Sequence, residues 1–161
     1  RDYYEKAGFD FSKEKFEIPA MECMSHYHKL LSSSKLLEMA DQVLSKLHNN
    51  GVKQYVLSAM EHNSLVNSLH EYKIHDSFID INGIDNHYAH SKLEIGIDML
   101  KNIPFDKREI LLIGDTLHDK DVANGLGVNC LLIANGHQSK KRLMEQTDDV
   151  LNNMVELFDY L

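Results

Sequence analysis

The chain has 161 residues, of which 43% are hydrophobic and 26% charged, and its formal net charge is −8. That is enough chain for one domain with a real core and a small appendage, while the negative balance makes the chain a poor candidate for binding nucleic acid, whose phosphate backbone demands clustered Lys and Arg. No apolar run is long enough to cross a membrane, and the two cysteines, Cys23 and Cys130, form neither a disulfide framework nor a Cys-x-x-Cys metal pair, so a reducing cytoplasm is the expected compartment.

The first residues, Arg1-Asp2-Tyr3-Tyr4, have the character of mid-helix, and the intact protein is expected to carry chain ahead of them. Residues 1–33 are rich in Tyr, Phe, Met and Lys, with Pro19 as the strong breaker, and read as one or two helices outside the main pattern; Met21 and Met24 are expected in a core. From Ser34 the pattern alternates. Leu36, Ala40, Val43, Leu44 and Leu47 recur at helical spacing up to Asn50-Gly51. Tyr55-Val56-Leu57 is a short buried strand, followed by a helix with Leu65, Val66 and Leu69 on one face. Phe78 to Ile81 is a second strand, and Leu93, Ile97 and Leu100 mark a third helix. Ile110 to Ile113 is the strongest strand, then Val122, Ala123 and Leu126 form a short helix ended by Gly127. Cys130 to Ile133 is a fourth strand, and Val155, Phe158 and Leu161 suggest a last helix. Wholly apolar strands alternating with amphipathic helices predict a doubly wound, mainly parallel α/β sheet covered on both faces. In such sheets ligands bind beyond the carboxyl ends of the strands.

Three of those ends carry chemistry. Ser58 and Ala59 follow the first strand, where a hydroxyl and free N–H groups at a helix start suit a phosphate-sized anion. Lys92 falls in the first turn of a helix, behind a Ser91/Glu94 capping box. The helix dipole disfavours a cation there, which makes Lys92 a candidate partner for an anion. Gly114-Asp115-Thr116-Leu117-His118-Asp119 follows the strongest strand and places two carboxylates four apart. Hard oxygen ligands in that position suit Mg²⁺, which shares its shell with waters and substrate phosphate oxygens. Gly114 would let the backbone approach a ligand, and Asp119 could instead be a helix cap. Asp121 reads as a solvated first-turn carboxylate. His62, His118 and His137 lie near strand ends and could line a pocket; His87 and His90 read as loop residues, and Cys130 as inert packing.

Taken in order, these pieces resemble the haloacid dehalogenase superfamily, matching three of its four motifs. Tyr55-Val56-Leu57-Ser58 resembles the second, Lys92 the third, and Ile110 through Asp119 the fourth and most specific. Val122 to Val128 continues in the manner of the phosphoglycolate-phosphatase-like branch. The resemblance implies that Ser58 holds a transferring phosphoryl group and that Lys92 neutralises it. It implies that Asp115 ligates Mg²⁺, with Gly114 and Thr116 in the metal loop and Asp119 supporting the metal or pairing with Lys92. It makes residues 1–33 the rear part of a helical cap and residues 34–161 a core domain without its first strand.

The family's first motif, an apolar strand ending in Asp-x-Asp, does not occur. Asp119-Lys120-Asp121 has the spacing but opens a helix, and Asp80-Ile81-Asn82 lacks the second carboxylate. The missing strand belongs in mid-sheet, and its absence would leave two inner edges unpaired. An N-terminal segment or a second copy of the chain is therefore expected to complete it. The functional expectation is a Mg²⁺-dependent phosphatase of a small phosphorylated metabolite, with no nucleic-acid or membrane partner. The alternatives are a phosphosugar mutase of the same superfamily and a phosphate-binding module without turnover; Lys92 and Gly114-Asp115 favour a phosphate and a metal over dehalogenation.

Overall fold

The computed structural model describes residues 2–13, 15–31, 33–84 and 91–160. The chain divides into two compact units, Arg1–Lys35 and Leu36–Leu161.

The smaller unit holds α1 (Asp2–Lys6) and α2 (Glu17–Leu31). Tyr4, Phe9, Phe11 and Phe16 gather between them, mostly edge to face, with ring centroids 5.4–6.5 Å apart, a favourable aromatic geometry. Pro19 lies in the first turn of α2, where a missing N–H breaks no helical bond. The expectation for Met21 is overturned: it is 72% exposed, and Tyr27 and Leu30 are exposed beside it on the same helix. A 15-residue helix in a unit this small has too little neighbouring surface to bury more than one side. The side chain of Met24 lies outside the described residues.

The larger unit alternates as the pattern predicts: α3 (Ala40–Asn49), β1 (Tyr55–Glu61), α4 (His62–Glu71), β2 (Asp80–Ile84), α5 (Lys92–Leu100), β3 (Leu111–Gly114), α6 (Leu117–Leu126), β4 (Asn129–Ile133), α7 (Lys140–Leu143), β5 (Val150–Leu151) and α8 (Leu157–Tyr160). Every strand pairing is parallel, which gives an α/β fold with helices on both faces. The period of two shows in β4. Leu131 and Ile133 join Val43, Leu47 and Leu157 in one core cluster, while Cys130 and Leu132 join Ala123, Leu143 and Val150 in another. A third cluster of Leu65, Leu69 and Ile74 lies against β1 and β2. Gly127 ends α6 at φ 71°, the left-handed conformation that favours glycine at a helix end.

Several boundaries differ from the sequence expectation. The second strand runs over Asp80–Ile84 rather than Phe78 to Ile81, because a 3₁₀ turn at His75–Ser77 takes up the preceding residues. Ile97, expected on the inner face of α5, is 45% exposed, and the fully packed position there is Gly96. A Cβ on Gly96 would sit 2.9 Å from Leu126 and 3.0 Å from Leu57, so α5 approaches its neighbours through the glycine. The last helix is split into a 3₁₀ turn at Met154–Glu156 and α8; Leu157 enters the core and Val155 does not. Leu161 lies outside the described residues. The two-residue β5 is too short to show a period.

The sheet itself is divided. β1 pairs with β2, and β3-β4-β5 form a separate group. Between β1 and β3 lies an apolar cleft of about 680 Å³, lined by Tyr55 and Leu57 on one side and Leu111 and Ile113 on the other, with Val43 and Leu100 among the walls. Ile113, on the strand with the strongest sequence pattern, is 39% exposed, whereas β4 from Cys130 to Ile133 stays at or below 6%.

Candidate active site

The best-defined part of the site is the turn from β3 into α6. Thr116 caps the helix: its hydroxyl accepts from the Asp119 N–H at 3.3 Å and donates to Asp119 Oδ2 at 2.7 Å. Asp119 Oδ2 also accepts from the backbone N–H groups of Asp115 (3.1 Å) and Thr116 (3.0 Å). Asp119 is therefore not the N-cap; Thr116 is, and Asp119 is its reciprocal partner in a capping box. Gly114 makes room for a different group from the one expected. A Cβ there would sit 2.3 Å from Asp119 Cβ, so the glycine admits the Asp119 side chain rather than a ligand.

Lys92 completes the arrangement. Its Nζ donates to Asp119 Oδ1 at 2.6 Å, with both side chains largely shielded from solvent. Burial alone would raise the Asp119 pKa, but the bonds from Lys92, Thr116 and the Asp115 backbone prevail and hold it below the usual carboxylate value. Lys92 opens α5 behind the capping box of Ser91 and Glu94, as its sequence spacing predicts. α5 follows β2 and α6 follows β3, so this ion pair brings the carboxyl ends of the two strand groups together, on the side where α/β sheets bind ligands. Lys92 also lines the cleft between β1 and β3, and one bond to Asp119 leaves two of its three N–H donors for another anion.

Asp115 is half-buried at the mouth of this turn. Its Oδ2 accepts from the His137 backbone N–H at 2.8 Å and lies 2.9 Å from the His137 ring Nδ1. Among the described residues its Oδ1 has no hydrogen-bond partner. That oxygen suits a hard cation, and Mg²⁺ needs only one or two carboxylates beside waters and phosphate oxygens. Asp119 does not fit as a direct ligand, because Lys92 and the turn engage both its oxygens. Among the described residues no three His, Cys, Asp or Glu side chains form a metal-holding group.

Ser58 and Ala59 are placed differently from the expectation. β1 continues past them to Glu61, and α4 begins only at His62. The pairing shifts between Leu57↔Asn82 and Glu61↔Ile84, a bulge at the carboxyl end of the strand. Ser58 sits in that bulge, and its Oγ accepts from the Met60 N–H at 3.1 Å; it makes no bond to Lys92 or Asp115. Glu61, not Ser58, caps α4, and the N–H groups of Asn63 and Ser64 with the Ser64 hydroxyl lower its pKa to about 2. His62 begins α4, while His118 and Asp121 are exposed on α6. His87 and His90 lie outside the described residues. Cys130 is buried, which pushes its thiol up to about 11 and keeps it protonated at neutral pH.

Sequence reasoning missed Gly136 and Gln138. Gln138 Oε1 accepts from the Leu117 N–H at 2.9 Å, an orphan donor in the first turn of α6. These residues are some twenty positions away from the turn they touch, and only the parallel register of Gly114 with Leu132 brings the loop after β4 beside it. No spacing in the sequence marks them.

A family model described as haloacid dehalogenase-like hydrolase matches residues 1–133. No curated protein sequence matches the chain. Among solved structures, a haloacid dehalogenase-like family hydrolase from Streptococcus pneumoniae is similar at TM-score 0.77 and 19% identity, over 93% of this chain and 73% of that one. A predicted phosphatase from Clostridium acetobutylicum is similar at TM-score 0.79 and 17% identity, over 99% and 74%. A predicted phosphoglycolate phosphatase from Haemophilus somnus is similar at TM-score 0.75 and 15% identity, over 97% and 71%.

Proposed function

Because the chain belongs to the haloacid dehalogenase-like hydrolases, we propose that it is the larger part of a Mg²⁺-dependent phosphatase acting on a small phosphorylated metabolite. The observation that carries this reading is the Lys92–Asp119 pair set beside Asp115 at the meeting of the strand ends. It puts a shielded cation and a carboxylate oxygen that has no partner among the described residues at the same turn, a suitable arrangement for a metal-bound phosphoryl group.

Each residue of the chain then has a task. Lys92 neutralises the phosphoryl oxygens, and Asp119 holds the ammonium in place while staying ionised. Asp115 holds the cation through Oδ1, with Gly114 and Thr116 shaping its loop. Ser58 and the Ala59 N–H lie toward the carboxyl end of β1, where they donate to the same oxygens; the Ser58 Oγ accepts from the Met60 N–H and so keeps its own O–H to give. Mg²⁺, when bound, neutralises charge on the phosphoryl group and helps align it for in-line transfer.

The nucleophile comes from an added strand. The two unpaired edges of β1 and β3, and the apolar cleft between them, suit one parallel strand. A carboxylate at the end of that strand would attack phosphorus as the bond to the leaving oxygen breaks. The leaving oxygen takes a proton from a second carboxyl group on the same segment, and water, giving its proton back to that group, then cleaves the aspartyl phosphate into phosphate and the free carboxylate. Residues 1–33 are the rear part of a helical cap that selects the substrate, and the cytoplasm is the proposed compartment.

The test is turnover of p-nitrophenyl phosphate and a panel of sugar phosphates by the full-length protein with Mg²⁺. Asp115→Ala abolishes Mg²⁺-dependent turnover. Lys92→Ala, checked for folding by circular dichroism, lowers it about 10²–10³-fold, the range for a preorganised charge on a reacting group. Phosphate binding with no turnover of any ester by the full-length protein would leave a phosphate-binding module. Formation of a sugar phosphate isomer would identify a mutase.

A further inference from the structure

We propose that His137 and Gly136 are positioning residues for the Asp115 carboxylate, holding its Oδ2 so that Oδ1 is presented to a divalent cation. The inference rests on the reading of Asp115 as a metal ligand and adds the loop after β4 to the site.

Three independent features of that loop converge on the same turn. His137 gives Asp115 Oδ2 two contacts, from its backbone N–H at 2.8 Å and its ring Nδ1 at 2.9 Å. A carboxylate only accepts, so Nδ1 carries the ring proton. Gly136 is required for this approach, because a Cβ there would lie 2.0 Å from Asp115 Oδ2. Its φ is not in the left-handed region, so the backbone would accept alanine and the collision with the carboxylate is what excludes it. Gln138 fastens the loop from the other side through the Leu117 N–H.

A purely structural role accounts poorly for the ring contact. The His137 side chain is 88% exposed, and ion pairs so open to water contribute little to stability. Direction is what such a contact supplies. Residues that hydrogen-bond a metal ligand fix its orientation, and their loss typically weakens metal affinity about 10–100-fold.

The test measures Mn²⁺ binding to the full-length protein by electron paramagnetic resonance, alongside thermal unfolding of the metal-free form. His137→Ala is expected to raise the Mn²⁺ Kd about 10–100-fold while moving the metal-free midpoint by less than ~2 °C. His137→Asn, whose side-chain amide can donate from the place of Nδ1, is expected to restore most of the affinity. His137→Gln, with its amide one carbon farther out, is not. Gly136→Ala is expected to match or exceed the loss in His137→Ala. Unchanged Mn²⁺ affinity in Asp115→Ala would overturn the metal reading and this proposal with it. Affinity lost in Asp115→Ala but retained in His137→Ala would overturn the positioning role alone, as would rescue by Gln equal to that by Asn.

Discussion

Asp119 is the buried carboxylate on which the β3–α6 turn and Lys92 converge. It is 5% exposed, bonded to Lys92, and holds three donors of the β3–α6 turn. Removing one partner of a buried pair leaves the other charge uncompensated, so Asp119→Ala should destabilise the fold by about 3–5 kcal/mol. The pH dependence has a definite sign. The folded pKa lies below the ordinary 3.8, so the unfolded chain takes up the proton more readily. The stabilisation is complete above that value and is lost as pH falls through the lower folded value. Urea unfolding of the parent and Asp119→Asn at pH 6 and pH 3 isolates the effect from other carboxylates. The stability gap between the two should shrink at pH 3; a constant gap would show that Asp119 does not titrate in this window.

Among elements, the informative contrast is between β3 and β4. Their sequences are equally apolar, Ile110-Leu111-Leu112-Ile113 against Cys130-Leu131-Leu132-Ile133. Leu132 is fully buried, and Ile113 is 39% exposed beside the cleft. Leu132→Ala should therefore cost about 2–5 kcal/mol, as for other buried leucines, and Ile113→Ala clearly less in this 161-residue chain. Denaturation midpoints of the two variants give the comparison directly. Equal losses would mean that β3 is already covered on its open side. The helices were more legible than the strands, because the capping box at Ser91 and the glycine after Leu126 are local signals, although the cap of α6 is Thr116 and not the Asp119 that the sequence offered. The bulge in β1 was not legible: it depends on the pairing of Leu57 and Glu61 with β2.

At the scale of the molecule, the division between β1–β2 and β3–β4–β5 is the dominant feature. An apolar cleft of about 680 Å³ in contact with solvent should enhance the fluorescence of a hydrophobic dye such as anilinonaphthalene sulfonate on the 161-residue polypeptide. Addition of a protein segment that pairs with both edges should quench that signal. No enhancement at concentrations where the chain is folded and monomeric would mean that the cleft is closed in solution. Among the described residues no helix is long and apolar enough to cross a membrane.

The sequence by itself determined the alternation of elements, the family, and the identity of Lys92, Asp115 and Asp119 as the residues to watch. Those signals are local: apolar period, capping spacing, and carboxylates at a strand end. Only the tertiary structure decided how the polar groups are shared. Asp119 is taken up by Lys92 and the turn, Gly114 accommodates Asp119, and the loop of Gly136, His137 and Gln138 reaches Asp115 and Leu117. The contacts of that loop follow from the parallel register of β3 with β4. Hydrogen bonds between residues some twenty positions apart leave no periodic trace in a chain, because partners brought together by a crossover can lie at any separation along it.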